Sequence, residues 1–229
     1  MTIPLPVRAV LFDVNETLSD TSALAGAFEG VGAPGHLAPT WFAAVLRDGF
    51  ALTLAGASAP FADVARAVGR TVLAQAVAPE RLDDAVQRVV AAVGELPLHP
   101  DVPGGLRALA GRGLRLATLT NGGAAVPRQL LAAAGLEGVV DRLLSVQDAP
   151  GGAWKPAASA YRHALGQLGV EPADAVLVAV HPWDVDGAHR AGLRTVFVDR
   201  AGTGHPAVFA APDAVVSGVD ELPAVLTAR

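Results

Sequence analysis

The sequence predicts an α/β protein, a doubly wound parallel sheet with an all-helical domain inserted after its first strand. Three observations carry this. Ala9-Val10-Leu11-Phe12 is a short, uncharged, partly β-branched run, the mark of a strand buried on both faces. From about Ser19 to Leu96 no second such run occurs, and apolar residues recur at helical spacing. From Leu114 onward short apolar runs alternate with helical patterns, which predicts parallel strands joined by crossover helices. The expected division is residues 1–18 with 98–229 for the α/β core and 19–97 for the helical insertion.

In chain order, the first strand delivers Asp13 at its carboxyl end. Pro39-Thr40-Trp41 opens a helix in which Phe42, Val45, Leu46, Phe50 and Leu54 keep close to a 3.6-residue period, with Thr40 as its expected N-cap. Trp41, Phe42 and Phe50 read as core of the insertion, and a helix facing the crevice would offer them as substrate wall as well. Two further helices are expected over 60–76 and 79–93, the second begun by Pro79 and Glu80. The proline- and glycine-rich stretch 96–105 reads as a hinge back to the core. A helix over 106–110 and a strand over 114–119 follow, then a helix over 125–134 stopped by Gly135. The pattern continues with a strand over 142–146, a helix over 156–168, a strand over 175–180 and a helix over 184–191. Strands over 195–198 and 213–216 precede a terminal helix.

Composition excludes several classes. A chain of 229 residues suffices for one core with a smaller inserted domain. With 52% hydrophobic and 17% charged residues it is not disordered, and a net charge of −5 leaves no basic footprint for nucleic acid. No apolar run approaches a membrane span and no signal-peptide pattern opens the chain, so a cytoplasmic protein without a membrane partner is expected. There is no cysteine, hence neither a disulfide framework nor thiolate chemistry. Lys155 is the only lysine and Tyr161 the only tyrosine.

Asp13, Thr120-Asn121, Lys155 and Asp184 fall at, or just beyond, the carboxyl ends of four predicted strands. In a doubly wound sheet those ends converge on one crevice. Singly, each has a plain reading: Asp13 or Thr120-Asn121 as a turn, Asp184 as a helix cap, Lys155 as a solvated loop charge. Together they read as a site. The histidines outside it, His36, His99, His163, His189 and His205, show no metal-ligand spacing and read as bystanders.

These stretches resemble the motifs of the haloacid dehalogenase superfamily. Asp13 and Thr17 match the nucleophile and threonine of its first motif, Leu119-Thr120-Asn121-Gly122 its second, Lys155-Pro156 its third and Val180 to Ala188 its fourth. The type II 2-haloacid dehalogenase branch is the most similar. There too the lysine is followed by proline and, six residues on, by tyrosine, and a Trp-Asp pair precedes Gly-Ala, as in Trp183-Asp184 and Gly187-Ala188. The resemblance implies a metal-independent hydrolase that removes halide from a short 2-haloalkanoic acid through an aspartyl ester, without cofactor. Asp13 would be the nucleophile, Lys155 its charge partner, Thr17 its hydrogen-bond partner and Asp184 the group that positions or activates water. Thr120, with backbone N–H groups around Asn121 and Gly122, would hold the substrate carboxylate, and Asn121 would help bind halide. A homodimer is borrowed from the same family. Removal of Lys155 is expected to end turnover with the fold intact.

Four positions depart from the pattern. Asn15 stands where the superfamily's phosphatases carry a second aspartate that protonates a leaving alkoxide, and Val180 replaces one of their metal-site carboxylates. Both departures disfavour an Mg²⁺-dependent phosphatase, which stands as the first alternative, with a carboxylate-binding homologue without turnover as the second. Phe42 stands where the branch places a halide-receiving cap arginine. Arg47 on the same helix is either its replacement or an ordinary solvated residue. His181 replaces the branch's asparagine, as a neutral hydrogen-bond partner or as an alternative base for the water.

Overall fold

The computed structural model describes Leu5–Arg229, so the first four residues of the segment 1–18 lie outside the described residues. In order the chain forms β1 (Leu5–Val7), β2 (Ala9–Phe12), α1 (Leu24–Gly30), α2 (Leu37–Leu54), α3 (Phe61–Leu73), α4 (Leu82–Ala92) and α5 (Val102–Ala110). It continues with β3 (Arg115–Thr120), α6 (Ala125–Ala133), β4 (Arg142–Ser145), α7 (Ala158–Leu168), β5 (Ala175–Ala179) and α8 (Pro182–Arg190). It ends with β6 (Arg194–Val198), β7 (Ala214–Val216), α9 (Leu222–Val225) and β8 (Leu226–Ala228).

Six strands pair in parallel in the order β4-β3-β2-β5-β6-β7. The order reverses between β2 and β5, so their carboxyl ends flank the crevice where such sheets bind ligands. β2 is sealed on both edges and both faces. Phe12 pairs with Thr118 on one side and Val178 on the other. Ala9 and Leu11 face a cluster shared with the helical insertion, while Val10 and Phe12 face a second cluster built on α5 and α9. Two-sided burial explains why β2 reads as a continuous apolar run rather than an alternation.

The insertion is helical throughout, as expected, and α2 buries Ala38, Trp41, Phe42, Val45 and Gly49 at three- and four-residue spacing. Both crossovers into it are pinned side by side: Asp20 N–H donates to Pro97 O and His99 N–H to Leu18 O. Contact with the core is close at Gly49, where an added Cβ would lie 2.2 Å from the Trp154 ring. Trp154 also donates from Nε1 to Ala59 O and from its backbone N–H to Thr53 Oγ1. These bonds tie the loop carrying Lys155 to the cap.

Some expected boundaries move. α2 starts at Leu37, which places Thr40 inside the first turn instead of at the N-cap, and no side chain caps that helix. α1 was not expected. Its Gly26 and Gly30 weaken local propensity, and burial of Leu24 and Phe28 stabilises it instead. The hinge is shorter, because α5 begins at Val102 with Pro103 in its first turn, where proline's missing N–H is not needed. The terminal helix is a single turn, and the chain then pairs β8 with β1, three residues against three. Gly135 stops α6 as expected, at φ 62°.

Candidate active site

Asp13 leaves β2 with its backbone N–H donating to Val178 O at 3.1 Å, which stitches it to β5 at the reversal point. Thr17 Oγ1 donates to Asp13 Oδ2 at 2.7 Å and accepts from Val180 N–H at 3.1 Å. Lys155 Nζ lies 2.8 Å from Asp13 Oδ1 and 2.6 Å from Asp184 Oδ2. Tyr161 O–H donates to Asp184 Oδ1 at 2.6 Å. The result is one chain, Thr17–Asp13–Lys155–Asp184–Tyr161, with Lys155 and Asp184 fully buried and Asp13 nearly so.

A buried ammonium costs several kcal/mol unless it is paired, and here two carboxylates pair it. Burial pushes the Asp13 carboxyl up, but the charges of Lys155 and His181 and the Lys155 and Thr17 hydrogen bonds outweigh it, holding it below the ordinary carboxylate range. For Asp184 burial wins: with Asp13's charge adding and Lys155 opposing, its carboxyl is raised. Lys155 is raised because the two carboxylates outweigh its own burial. Burial and the Asp184 charge push the Tyr161 phenol well up, so it stays a donor. Two carboxylates on one lysine thus part in proton affinity, the condition for giving them different roles.

The expectation that Lys155 can be removed with the fold intact needs correction. It is not a loop charge, and its loss would leave two buried carboxylates without a counter-charge.

Local packing sets the rest. Gly187 on α8 is required, because a Cβ there would meet Tyr161 Oη at 2.7 Å and Pro156 Cβ at 2.5 Å. Asn121 Oδ1 accepts from Lys155 N–H at 2.8 Å and its Nδ2 faces Lys155 O at 3.5 Å, so its amide fixes the lysine's backbone. Thr120 Oγ1 accepts from Gly122 N–H at 3.0 Å. Asn15 is buried with Oδ1 unpartnered, and it borders a cavity of about 760 Å³ with Thr120, Gly122 and Phe61.

On the other side of the Asp13 turn lies a cleft of about 450 Å³, bordered by Phe42, His181, Glu16, His99 and Arg200. His181 Nε2 is 3.7 Å from Asp13 Oδ2 and 3.4 Å from Glu16 Oε2. Its ring stacks on Trp183 at 4.9 Å, and Trp183 in turn meets Phe50 edge-on and lies 5.9 Å from Lys155 Nζ. Phe42 is buried against Trp41 and Phe61. Arg47 is not brought to this cluster: its side chain is 71% exposed and paired with Asp48. Sequence reasoning missed Glu16, and it set His99 aside although His99 Nε2 lies 3.1 Å from Glu16 O. Nothing in a lone glutamate between Asn15 and Thr17 signals this. The signal is its left-handed backbone, φ 64°, which only the structure shows.

The donor set does not suit a divalent cation. Hard cations want several oxygen ligands, yet Asp13 and Asp184 both give an oxygen to the Lys155 ammonium, and Val180 offers no side-chain oxygen. Among the described residues no group of three or more His, Cys, Asp or Glu side chains is placed to hold a metal ion. No helix among them is long and apolar enough to cross a membrane.

A buried carboxylate–lysine–carboxylate chain at the reversal point of a parallel sheet suits nucleophilic catalysis by a carboxylate. The chain belongs to the haloacid dehalogenase-like hydrolases, whose family model matches residues 7–192. It is 30% identical to (S)-2-haloacid dehalogenase 1 of Pseudomonas sp. (strain CBS-3), over 96% of this chain and 97% of that one. It is also 34% identical to the plasmid phosphoglycolate phosphatase of Cupriavidus necator, over 99% and 96%. The structure of L-2-haloacid dehalogenase from Xanthobacter autotrophicus with chloropropionic acid covalently bound superposes with a TM-score of 0.83, at 26% identity over 95% of this chain and 97% of that one.

Proposed function

We propose that the protein hydrolyses the carbon–halogen bond of a short 2-haloalkanoic acid through an ester on Asp13, without a metal. The observation that carries this reading is Lys155 bridging Asp13 and Asp184. It keeps Asp13 ionised and oriented for attack. A halide leaves without a proton, so Asn15 is no handicap there, whereas it cannot protonate a phosphatase's leaving alkoxide.

In this reading 1–18 with 98–229 is the catalytic core and 19–97 the cap that covers it. Oδ2 of Asp13 is fixed by Thr17, and Oδ1, which accepts from Lys155 Nζ through one lone pair, attacks C2 of the substrate with the other. The substrate carboxylate takes backbone N–H groups at Asn121 and Gly122, displacing the Thr120 hydroxyl from Gly122. Asn121 Nδ2 and the carbon wall of Phe42, Phe61 and Trp183 surround the halogen. Asp184, oriented by Tyr161 and raised in proton affinity, takes a proton from the water that opens the ester. The test is halide release from 2-chloropropionate in excess chelator, beside phosphate release from an aryl phosphate with Mg²⁺. Halide release unaffected by chelator is expected; phosphate release alone contradicts the reading.

A further inference from the structure

We propose that His181, held by Glu16, is a catalytic residue for the second half of this reaction, its Nε2–H stabilising the oxyanion that forms on Asp13 Oδ2. The inference rests on the ester reaction proposed above.

Three observations lead to it. His181 Nε2 faces two carboxylate oxygens, Glu16 Oε2 at 3.4 Å and Asp13 Oδ2 at 3.7 Å. A lone pair there would point at two anions, so this nitrogen carries hydrogen and is a donor, not the base for the water. Secondly, Glu16 is the one non-glycine residue with positive φ among the described residues, at 64°. Such a backbone persists where the surroundings over-determine it, often at functional sites. Here His99 Nε2 lies 3.1 Å from Glu16 O, and Thr21 Oγ1 donates to Glu16 Oε1 at 3.3 Å. Both contacts aim the remaining carboxylate oxygen at His181. Thirdly, the target oxygen is the right one. Once Oδ1 is alkylated, Oδ2 is the ester carbonyl, and Thr17 Oγ1 already donates to it at 2.7 Å.

Water then adds to Asp13 Cγ, the carbonyl π bond breaks and its electron pair moves onto Oδ2. The Thr17 hydroxyl and His181 Nε2–H receive that charge, and the 3.7 Å contact shortens as it develops. Collapse restores the carbonyl and breaks the bond from Cγ to the oxygen of the 2-hydroxy acid. That oxygen takes the proton Asp184 removed from the water, and the regenerated Asp13 carboxyl loses its proton to solvent. His181 touches the reacting group, whereas Glu16 acts through it and is a positioning residue.

The experiment separates the two half-reactions in rapid-quench runs with 2-chloropropionate, reading first-turnover halide and the mass of the intact protein. His181→Phe keeps the stack on Trp183 and loses the donor. Glu16→Gly suits the left-handed backbone and loses the carboxylate. The expected result is a stoichiometric halide burst near the wild-type rate in both variants. Ester decay should slow on the order of 100-fold for His181→Phe and on the order of 10-fold for Glu16→Gly, so that the adduct accumulates. His181→Asn, which restores a donor, should recover part of the decay rate. Equal loss in both half-reactions, or no change in either, overturns the role of His181. No first-turnover halide from the wild-type enzyme overturns the proposed reaction itself, and this inference with it.

Discussion

The core side and the cap side of the cleft are built from opposite materials. At the centre of the core side the charges are buried and bonded: Asp13, Lys155 and Asp184 share one ammonium and four short contacts with Thr17 and Tyr161 at the two ends. On the cap side Trp41, Phe42 and Phe61 stand in tilted contact, and the cations turn outward. Arg47, Arg66 and Arg70 pair at the surface with Asp48, Asp63 and Asp83. The charged cluster sits beyond strand ends, on Asp13 just after β2, on Lys155 in the loop before α7 and on Asp184 in the first turn of α8. In the proposed reaction these core groups act without a cation from the cap.

That contrast can be broken most severely from the core side. Lys155→Met should abolish halide release and lower stability by about 3–5 kcal/mol, because two buried carboxylates lose their counter-charge. Thermal melting beside a halide assay checks both, and an active Lys155→Met enzyme would dissolve the comparison. Next in size is Asp184→Asn, which keeps volume and removes the base. It should leave the first halide burst and trap the ester, seen as a persistent adduct mass. Tyr161→Phe should be milder, slowing ester decay on the order of 10-fold, as befits one hydrogen bond to a charged group.

Acid sharpens the same point. As pH falls the raised Asp184 carboxyl takes its proton first, above the ordinary carboxylate range near pH 4, whereas Asp13 stays ionised below it. Hydrolysis of the ester should therefore fail before its formation, and the adduct should build up at mildly acid pH. For stability the signs oppose. The lowered Asp13 contributes stability above about pH 4 that is lost as pH falls through its folded value, and the raised Asp184 contributes stability at low pH that is lost as pH rises through its own. On the alkaline side the raised Lys155 contributes stability that is lost only as pH rises beyond the ordinary lysine range. Smallest of all, Arg47→Ala on the cap should change turnover by no more than about twofold and leave thermal melting unchanged, since its pair is exposed. A large loss would show that the cap does supply a cation.

The same contrast governs what the sequence discloses. Asp13, Thr120-Asn121, Lys155 and Asp184 were legible because buried strands are short apolar runs, and a polar residue at their ends stands out. The partner of Lys155 was legible only in part, since nothing in its loop showed that Asn121 fixes its backbone. Elements stabilised by distant packing stayed hidden. α1 exists because Leu24 and Phe28 are buried, and β1 and β8 pair across almost the whole chain. Glu16 stayed hidden for a different reason. Its backbone conformation and its approach to His181 are tertiary facts with no local signature.

The most direct test of the central claim is a single turnover of 2-chloropropionate in ¹⁸O-labelled water with enzyme in excess, read by mass spectrometry of the peptide that carries Asp13. If Asp13 forms the ester and water opens it at Cγ, the label enters the Asp13 carboxylate and the lactate formed in that turnover is unlabelled. Label in the lactate with none in Asp13 would mean that water attacks the substrate directly, and that Lys155 and Asp184 surround a carboxylate that never becomes an ester.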